Sequence, residues 1–223
     1  MEMVKNGGVE HGTVIYTENQ TKGRGQLNSV WEAEPGQNLT FSIIYRTDFI
    51  EIGHQFDLNI AVSIALQMSI SKFVDQVSIK WPNDIYVIDK KVAGVLIENT
   101  LKGKYLNFSV VGIGINVNQE KFAYPSATSL CTSRKEKLKL EEVLKEVLEA
   151  LDNSISNLKD GISIQHNKEF YTHHLFRKGI PTLFESDGIF EGVIIGVDEM
   201  GRLVVSFGGK VNYFNNKEIR FVI

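Results

Sequence analysis

Cysteine and long apolar runs are both scarce in this sequence. Cys131 is the single cysteine, which excludes a disulfide framework and a cysteine-based metal site and favours a reducing compartment. No apolar run approaches the roughly 18 residues that a membrane-spanning helix needs. The opening residues also lack the apolar core of a secretory signal. We therefore expect a cytoplasmic protein that does not enter the membrane.

The chain also has no excess of positively charged residues. Lysine plus arginine number 24 against 27 aspartate plus glutamate, so the net charge is −3 and a general nucleic-acid surface is excluded. The five histidines show no metal-ligand spacing, and no Gly-x-Ser-x-Gly elbow supports acyl transfer by a serine. We predict no metal site built from protein ligands, and any chemistry must work without a serine nucleophile.

The spacing of apolar residues predicts an α+β fold in two parts. Up to about residue 177, strand-like and helix-like stretches follow one another. The clearest helix runs from Leu138 to about Lys159, with an apolar stripe at i, i+3, i+4 spacing. We predict one domain over 1–177 and a small all-β domain over 178–223, whose limited core should pack on the larger part. The predicted strands of the first part cover about 12–18, 38–46, 77–84, 85–99 and 105–118, and its other helices about 59–73 and 163–174.

The stretch TENQTKGRGQLNSVWE (17–32) is longer than a connection between two strands requires. Gly23 and Gly25 allow the backbone to approach a ligand with its N–H groups facing an anion. Arg24 offers a planar fork to a carboxylate or phosphate, and Trp31 offers an aromatic face. The pattern indicates a loop that closes on an anionic ligand. A surface loop with a solvated arginine and a core tryptophan fits the same spacing.

Two further stretches carry residues of the kind that form ligand sites. Lys80 in IKWPND lies among apolar neighbours, where an ammonium requires an anionic partner unless it lies on a solvent face. Gly112 and Gly114 in GIGINVN interrupt a strand, which often marks close approach of a ligand or another backbone. Neither glycine stretch completes a dinucleotide fingerprint, because Asn28 and Val117 stand where the third glycine would be. A Walker-type phosphate loop is absent too.

The stretches QTKGRGQ, KWPNDIYV…KKVAGVLIE and GIGINVN stand in one order, and a small β unit follows them. In this combination the chain resembles the biotin–protein ligases over nearly its whole length. The resemblance implies a class II synthetase-like catalytic domain, a mixed β-sheet packed with helices, followed by a small SH3-like β-barrel. It also implies that biotin reacts with ATP and Mg²⁺ to biotinyl-5′-AMP, and that a lysine of a biotin carboxyl carrier protein then takes the biotin. No enzyme nucleophile is required.

The same resemblance implies roles for residues of the three stretches. Arg24 and Lys80 are expected to act in catalysis, with Lys80 holding the biotin carboxylate and the α-phosphate oxygens. Gln20 is the expected partner of the biotin ring, Asn116 that of adenine, and Trp31 the apolar wall beside adenine. The expected biotin-binding residues are Gln20, Gly23, Arg24, Gly25, Lys80, Gly112 and Gly114, and the expected ATP-binding residues are Arg24, Gln26, Trp31, Lys80 and Asn116.

The chain also departs from the family pattern. Gln26 stands where many relatives have a second arginine, so fewer positive charges are expected to face the triphosphate. We expect the strand and the Asp-Ser-Thr-Asn-like segment that open the family's biotin pocket to be missing. We expect the DNA-binding helix-turn-helix of its repressor-type members to be missing as well. A lipoate-attaching enzyme and a catalytically impaired biotin-binding relative are the alternatives, and a homodimer is compatible with the resemblance.

Overall fold

The computed structural model describes residues 8–25, 30–162 and 164–222. Its strands are β1 (Thr13–Thr17), β2 (Leu39–Arg46), β3 (Val77–Lys80), β4 (Asp84–Val87), β5 (Lys90–Lys102), β6 (Tyr105–Ile115), β7 (Pro181–Glu185), β8 (Ile189–Val197), β9 (Leu203–Phe207), β10 (Lys210–Phe214) and β11 (Arg220–Phe221). Its α-helices are α1 (Gln55–Ile70), α2 (Leu130–Arg134), α3 (Leu140–Lys159) and α4 (Ile164–His173).

The strands form two antiparallel sheets. The larger sheet has six strands in the order β1-β2-β6-β5-β4-β3, and the smaller has five in the order β10-β9-β8-β7-β11. In both sheets most neighbouring strands are joined by short connections that contain no helix, as antiparallel pairing allows. Together with the helices this arrangement confirms the predicted α+β class.

The helices bury the apolar face of the larger sheet. α1 is apolar on all sides and buried over most of its length, which is typical of a helix enclosed in a core. α3 carries one buried stripe and lies against α1, where Ser154 Oγ donates a hydrogen bond of 2.8 Å to the Ala61 carbonyl. The amphipathic helix predicted near this position is therefore confirmed. No helix in the described parts of the chain is long and apolar enough to cross a membrane.

The smaller sheet packs against the larger one near β3. Trp81 Nε1 donates a hydrogen bond of 2.9 Å to the carbonyl of Gly201, in the turn between β8 and β9. Gly201 has a φ of +82°, and a Cβ there would lie 2.2 Å from Phe56 Cγ, so the contact requires glycine. Pairing between β10 and β11, which would close a barrel, is not found among the described residues. The division into domains 1–177 and 178–223 stays a prediction.

Candidate active site

A cavity of about 850 Å³ lies on the face of the larger sheet that points away from α1. Residues of β2, β5 and β6 form its floor, and Phe41, Val95 and Ile113 among them also belong to the apolar core. The connections that follow β1 and β6 form its walls. Seven of the site residues predicted from the sequence line the cavity: Gln20, Arg24, Gly25, Trp31, Gly112, Gly114 and Asn116.

Glycines on the floor of the cavity leave space above the backbone that a side chain would otherwise fill. Gly94 lies opposite Gly114 in the β5–β6 register, and Leu96 lies opposite Gly112. The indole of Trp31 covers the first pair, since a Cβ on Gly114 would lie 2.3 Å from Trp31 Cε2 and one on Gly94 would lie 3.1 Å from Trp31 Cζ3. At Gly112 the nearest heavy atom would be 3.5 Å away, which is an ordinary contact. Gly112 is therefore open to a ligand, whereas Gly114 makes room for the tryptophan.

Two buried polar atoms lie at the Trp31 end of the cavity. Trp31 Nε1, a donor, and Asn116 Oδ1, an acceptor, have no hydrogen-bond partner among the described residues. The Asn116 side chain is held in one orientation, because its Nδ2 donates a hydrogen bond of 3.0 Å to the Thr128 carbonyl. A bound donor would satisfy Asn116 Oδ1, and a bound acceptor would satisfy Trp31 Nε1.

Lys91 is a cavity-lining cation that the sequence analysis did not single out. Its Nζ lies 2.7 Å from Asp84 Oδ2 and 5.8 Å from the Trp31 ring centroid, and all three residues line the cavity. The β4–β5 register pairs Ile85 with Ala93 but Tyr86 with Lys91, so one residue of β5 is extra. Simple alternation would send Lys91 to the core face. The β-bulge turns it to the cavity, and strand periodicity alone does not reveal a bulge.

Lys80 occupies a different place from the one expected. It does not line the cavity. Its Nζ donates a hydrogen bond of 3.0 Å to the Tyr86 hydroxyl and lies 4.8 Å from the ring centroid of Phe221. Burial lowers the pKa of Lys80, and the negative charge of Asp84 opposes that shift. Lys80 thus contacts Tyr86, which does line the cavity, and its expected contact with the ligand stays a prediction.

The loop after β1 folds back on itself at its described ends. The Trp31 amide donates a hydrogen bond of 3.3 Å to the Gly23 carbonyl, and Arg24 forms an isolated β-bridge with Val30. Gly23 does not line the cavity; a Cβ there would lie 2.3 Å from the Trp31 carbonyl oxygen. Its role in the structure is close backbone packing. Gln26, predicted to contact ATP, lies outside the described residues.

The two wall-forming connections are hydrogen-bonded to each other. The Glu32 carboxylate accepts from the Ala123 amide at 3.1 Å. Gln119 Oε1 accepts from the Glu34 amide at 3.0 Å and also from the Asn38 side chain. These contacts tie the segment after Trp31 to the segment after β6.

The amino-acid sequence is similar to a protein-ligase family model and to several named ligases. The family model described as Biotin/lipoate A/B protein ligase family matches residues 2–116. The Bifunctional ligase/repressor BirA of Bacillus subtilis (strain 168) is 28% identical over 218 residues, which is 90% of this chain and 63% of the relative. The Biotin--[acetyl-CoA-carboxylase] ligase of Mycobacterium tuberculosis is 31% identical over 124 residues, 53% of this chain and 45% of the relative. The chain thus spans less than two thirds of the length of either relative.

A solved structure covers more of the chain. The biotin protein ligase from Aquifex aeolicus in complex with biotin and ATP superposes with a TM-score of 0.81 and 27% identity. The similarity covers 99% of this chain and 93% of that one. Both sheets and the helices between them therefore belong to one shared architecture.

Proposed function

Because the chain belongs to the biotin/lipoate A/B protein ligase family, we propose that it activates biotin with ATP and attaches it to a lysine of a biotin carboxyl carrier protein. One observation carries this proposal: an ammonium, a guanidinium and an amide acceptor of fixed orientation line one cavity with a glycine floor. The similarity to the Aquifex aeolicus ligase, whose structure holds biotin and ATP, supports the choice of both substrates.

In the first half-reaction a carboxylate oxygen of biotin attacks the α-phosphorus of ATP. The bond to pyrophosphate breaks, and biotinyl-5′-AMP forms. Negative charge grows on the phosphate oxygens, and Lys91 and Arg24 supply positive charge from the cavity lining. Asp84 holds the Lys91 ammonium at 2.7 Å, so the cation is oriented before the substrates arrive. We propose that Lys91 contacts the phosphate oxygens in addition to Lys80, the residue to which the family resemblance gives this contact.

The adenine fits the Trp31 end of the cavity. Its 6-amino group can donate to Asn116 Oδ1, and a ring nitrogen can accept from Trp31 Nε1, the two buried atoms that have no partner among the described residues. Biotin would then extend along the floor past Gly112, towards Gln20. Gly25 lies in the wall between them and is proposed to contact both substrates.

In the second half-reaction the amine of the carrier lysine attacks the carbonyl carbon of the mixed anhydride. AMP leaves with the electron pair of the broken C–O bond, and the amine loses its proton. No protein nucleophile is needed. The two walls, joined through Glu32 and Ala123, keep water from the adenylate while the carrier approaches.

Mg²⁺ enters this scheme with the nucleotide. Among the described residues no group of three or more His, Cys, Asp or Glu side chains could hold a metal ion. We propose that phosphate oxygens are its main ligands, as is common for Mg²⁺ bound with nucleotides. The ion neutralises charge on the leaving pyrophosphate.

The setting of the reaction is also proposed. We infer that the ligase acts in the cytoplasm. β1 ends the larger sheet, and its Val14, Ile15 and Tyr16 are about two-fifths exposed (39%, 41% and 38%). This edge offers main-chain pairing to the carrier domain.

Pyrophosphate exchange into ATP tests the proposal. Biotin should drive the exchange, and Lys91→Met should slow it by about a hundredfold or more, because a cation is lost from the transition state. Lys90→Met is the matched control, since Lys90 is the exposed neighbour and does not line the cavity. Exchange that depends on lipoate and not on biotin would replace biotin with lipoate as substrate. Binding of biotin without exchange would favour an impaired relative.

A further inference from the structure

Three carboxylates line the cavity: Glu32, Asp84 and Glu98. Asp84 holds the Lys91 ammonium at 2.7 Å, and Glu32 accepts from the Ala123 amide at 3.1 Å. Glu98 forms neither an ion pair nor a hydrogen bond with any of the described residues. Of the three, Glu98 is therefore the one whose charge has no partner in the described parts of the chain.

Glu98 lies at the opposite end of the cavity floor from Trp31. In the β5–β6 register Gly94 pairs with Gly114 under the indole, and Glu98, four residues further along β5, pairs with Val110. Four residues of a strand span about 13 Å. The carboxylate is thus separated from the end of the cavity that we assign to adenine.

The neighbours of Glu98 on the floor are apolar. Its cross-strand partner is Val110, and the next pair along the floor is Leu96 with Gly112. The side chain is partly exposed. A partly buried carboxylate beside apolar groups loses some of its hydration, which a bound cation offsets. A single carboxylate provides too few ligands for a metal ion, so a cation with N–H donors suits it better.

The carrier lysine is the component of the proposed reaction that brings such a cation. Biotin and ATP are anions, and Mg²⁺ is proposed to stay with the phosphate oxygens. An incoming ammonium is repelled by the other cations of the lining, which include Lys22, Arg24 and Lys91. Asp84 is already paired with Lys91. Glu98 is then the carboxylate left to offset this repulsion.

We propose that Glu98 binds the ammonium of the carrier lysine as it enters the cavity. The inference rests on the proposed function and names the residue of that site that receives the acceptor. The ion pair is an entry step: the ammonium then releases its proton to water, and the neutral amine attacks the carbonyl carbon of the adenylate. β1 lies three strand spacings from β5, about 14 Å, which is less than the width of a folded domain. A carrier domain paired at β1 can therefore place its lysine at Glu98.

Separate measurement of the two half-reactions tests this assignment. Glu98→Gln should lower kcat/KM for transfer to an isolated biotin carboxyl carrier domain by about tenfold or more, mainly through KM, because the amide lacks the charge that binds the ammonium. Biotin-dependent pyrophosphate exchange is measured with the same variant, and the loss in transfer should exceed any loss in exchange. Glu98→Asp keeps the carboxylate and should recover part of the transfer. Equal losses in transfer and exchange would show a general disturbance of the cavity and would overturn the proposal.

Hydroxylamine as the acceptor isolates the charge of the amine. It is uncharged at neutral pH and takes the acyl group from the adenylate in place of the lysine. The rate of transfer to the carrier, divided by the rate of transfer to hydroxylamine, should fall by about tenfold in Glu98→Gln. An unchanged ratio would contradict a contact between Glu98 and the ammonium.

Glu120→Gln is the matched control. Glu120 is exposed and does not line the cavity, and the substitution removes the same charge. Transfer to the carrier domain should stay within about twofold of the wild type. An equal loss in Glu120→Gln and Glu98→Gln would mean that the carrier responds to the overall charge of the protein, and the proposed contact would be wrong.

Failure of this inference is distinguishable from failure of the proposed function. If the wild-type chain shows no biotin-dependent exchange, the proposed function fails and the role of Glu98 fails with it. If the wild type exchanges and transfers biotin, and Glu98→Gln transfers it at the wild-type rate, the role of Glu98 alone is refuted.

Discussion

A single hydrogen bond decides which atom of Asn116 faces the cavity. Because Nδ2 donates to the Thr128 carbonyl at 3.0 Å, Oδ1 is left as a buried acceptor. A purine with an amino group at position 6 satisfies this acceptor, whereas a keto oxygen there would oppose it. The side chain therefore distinguishes between bases by requiring a donor.

We predict that the protein prefers ATP to inosine triphosphate by about a hundredfold in kcat/KM. In Asn116→Leu the preference should fall close to one, with a loss for ATP, because neither base finds a partner. Exchange kinetics with both nucleotides check this. Asn99→Leu is the control: its Oδ1 is also buried without a partner among the described residues, but it lies outside this cavity. An unchanged preference in Asn116→Leu would contradict the assignment.

Lys80 gives the stability of the protein a defined dependence on pH. Burial lowers the pKa of Lys80 in the folded state, so the folded protein releases this proton before the unfolded chain does as the pH rises. Between the folded and unfolded pKa values the unfolded chain binds more protons, and the free energy of unfolding rises with pH. The unfavourable charge burial is present below the folded pKa and is relieved as the pH rises through it.

We predict that the free energy of unfolding of Lys80→Met, minus that of the wild type, decreases from pH 7 to about pH 10. The methionine carries no proton, so only the wild type gains in this window. Denaturant titrations at the two pH values measure the difference. Lys90→Met, an exposed lysine, accounts for general alkaline effects. A difference that grows with pH would show that the ammonium is favoured in the fold.

At the scale of secondary-structure elements, β5 and β6 make room for the cavity because they have glycines where side chains would fill it. Gly94 and Gly114 leave a flat area of backbone, and the Trp31 indole rests on it. A loop residue is thereby docked on the sheet. This contact explains why a glycine interrupts the strand in the sequence.

We predict that Gly114→Ala displaces Trp31, because the new Cβ would lie 2.3 Å from the indole ring and the ring is easier to move than the sheet. Trp31 fluorescence should shift to longer wavelength, and nucleotide affinity should fall by about tenfold or more. Gly112→Ala is the matched control, since its Cβ would meet nothing nearer than 3.5 Å and should leave the fluorescence unchanged. A similar spectrum for both variants would mean that Trp31 does not rest on Gly114.

Element-level patterns also explain what the sequence could and could not reveal. The apolar stripe of α3 and the alternation of β2 depend on neighbouring residues, so the sequence predicts them. Lys91 depends on a bulge in β5, which breaks the alternation by one residue. A strict two-residue period would therefore place Lys91 on the wrong face of the sheet.

At the scale of the whole molecule, the α+β class and the meeting of three stretches at one cavity could be predicted, the latter through the family resemblance. The contact between Lys80 and Phe221 could not. β3 is a short strand at the end of the larger sheet, and Phe221 covers Lys80 from the other end of the chain. Which side chains share a space across such a separation depends on how the two sheets dock. Local periodicity carries no information about that docking.

The bond between Trp81 Nε1 and the Gly201 carbonyl has a consequence for synthesis on the ribosome. Chains emerge N-terminus first, so every strand of the larger sheet is available before Gly201 has been translated. During that interval the Trp81 indole N–H has no Gly201 carbonyl to bind, and Phe56 lacks the glycine turn that covers it. A nascent chain that stops before Gly201 would lack the turn that covers both rings, and we expect chaperones or proteases to bind it.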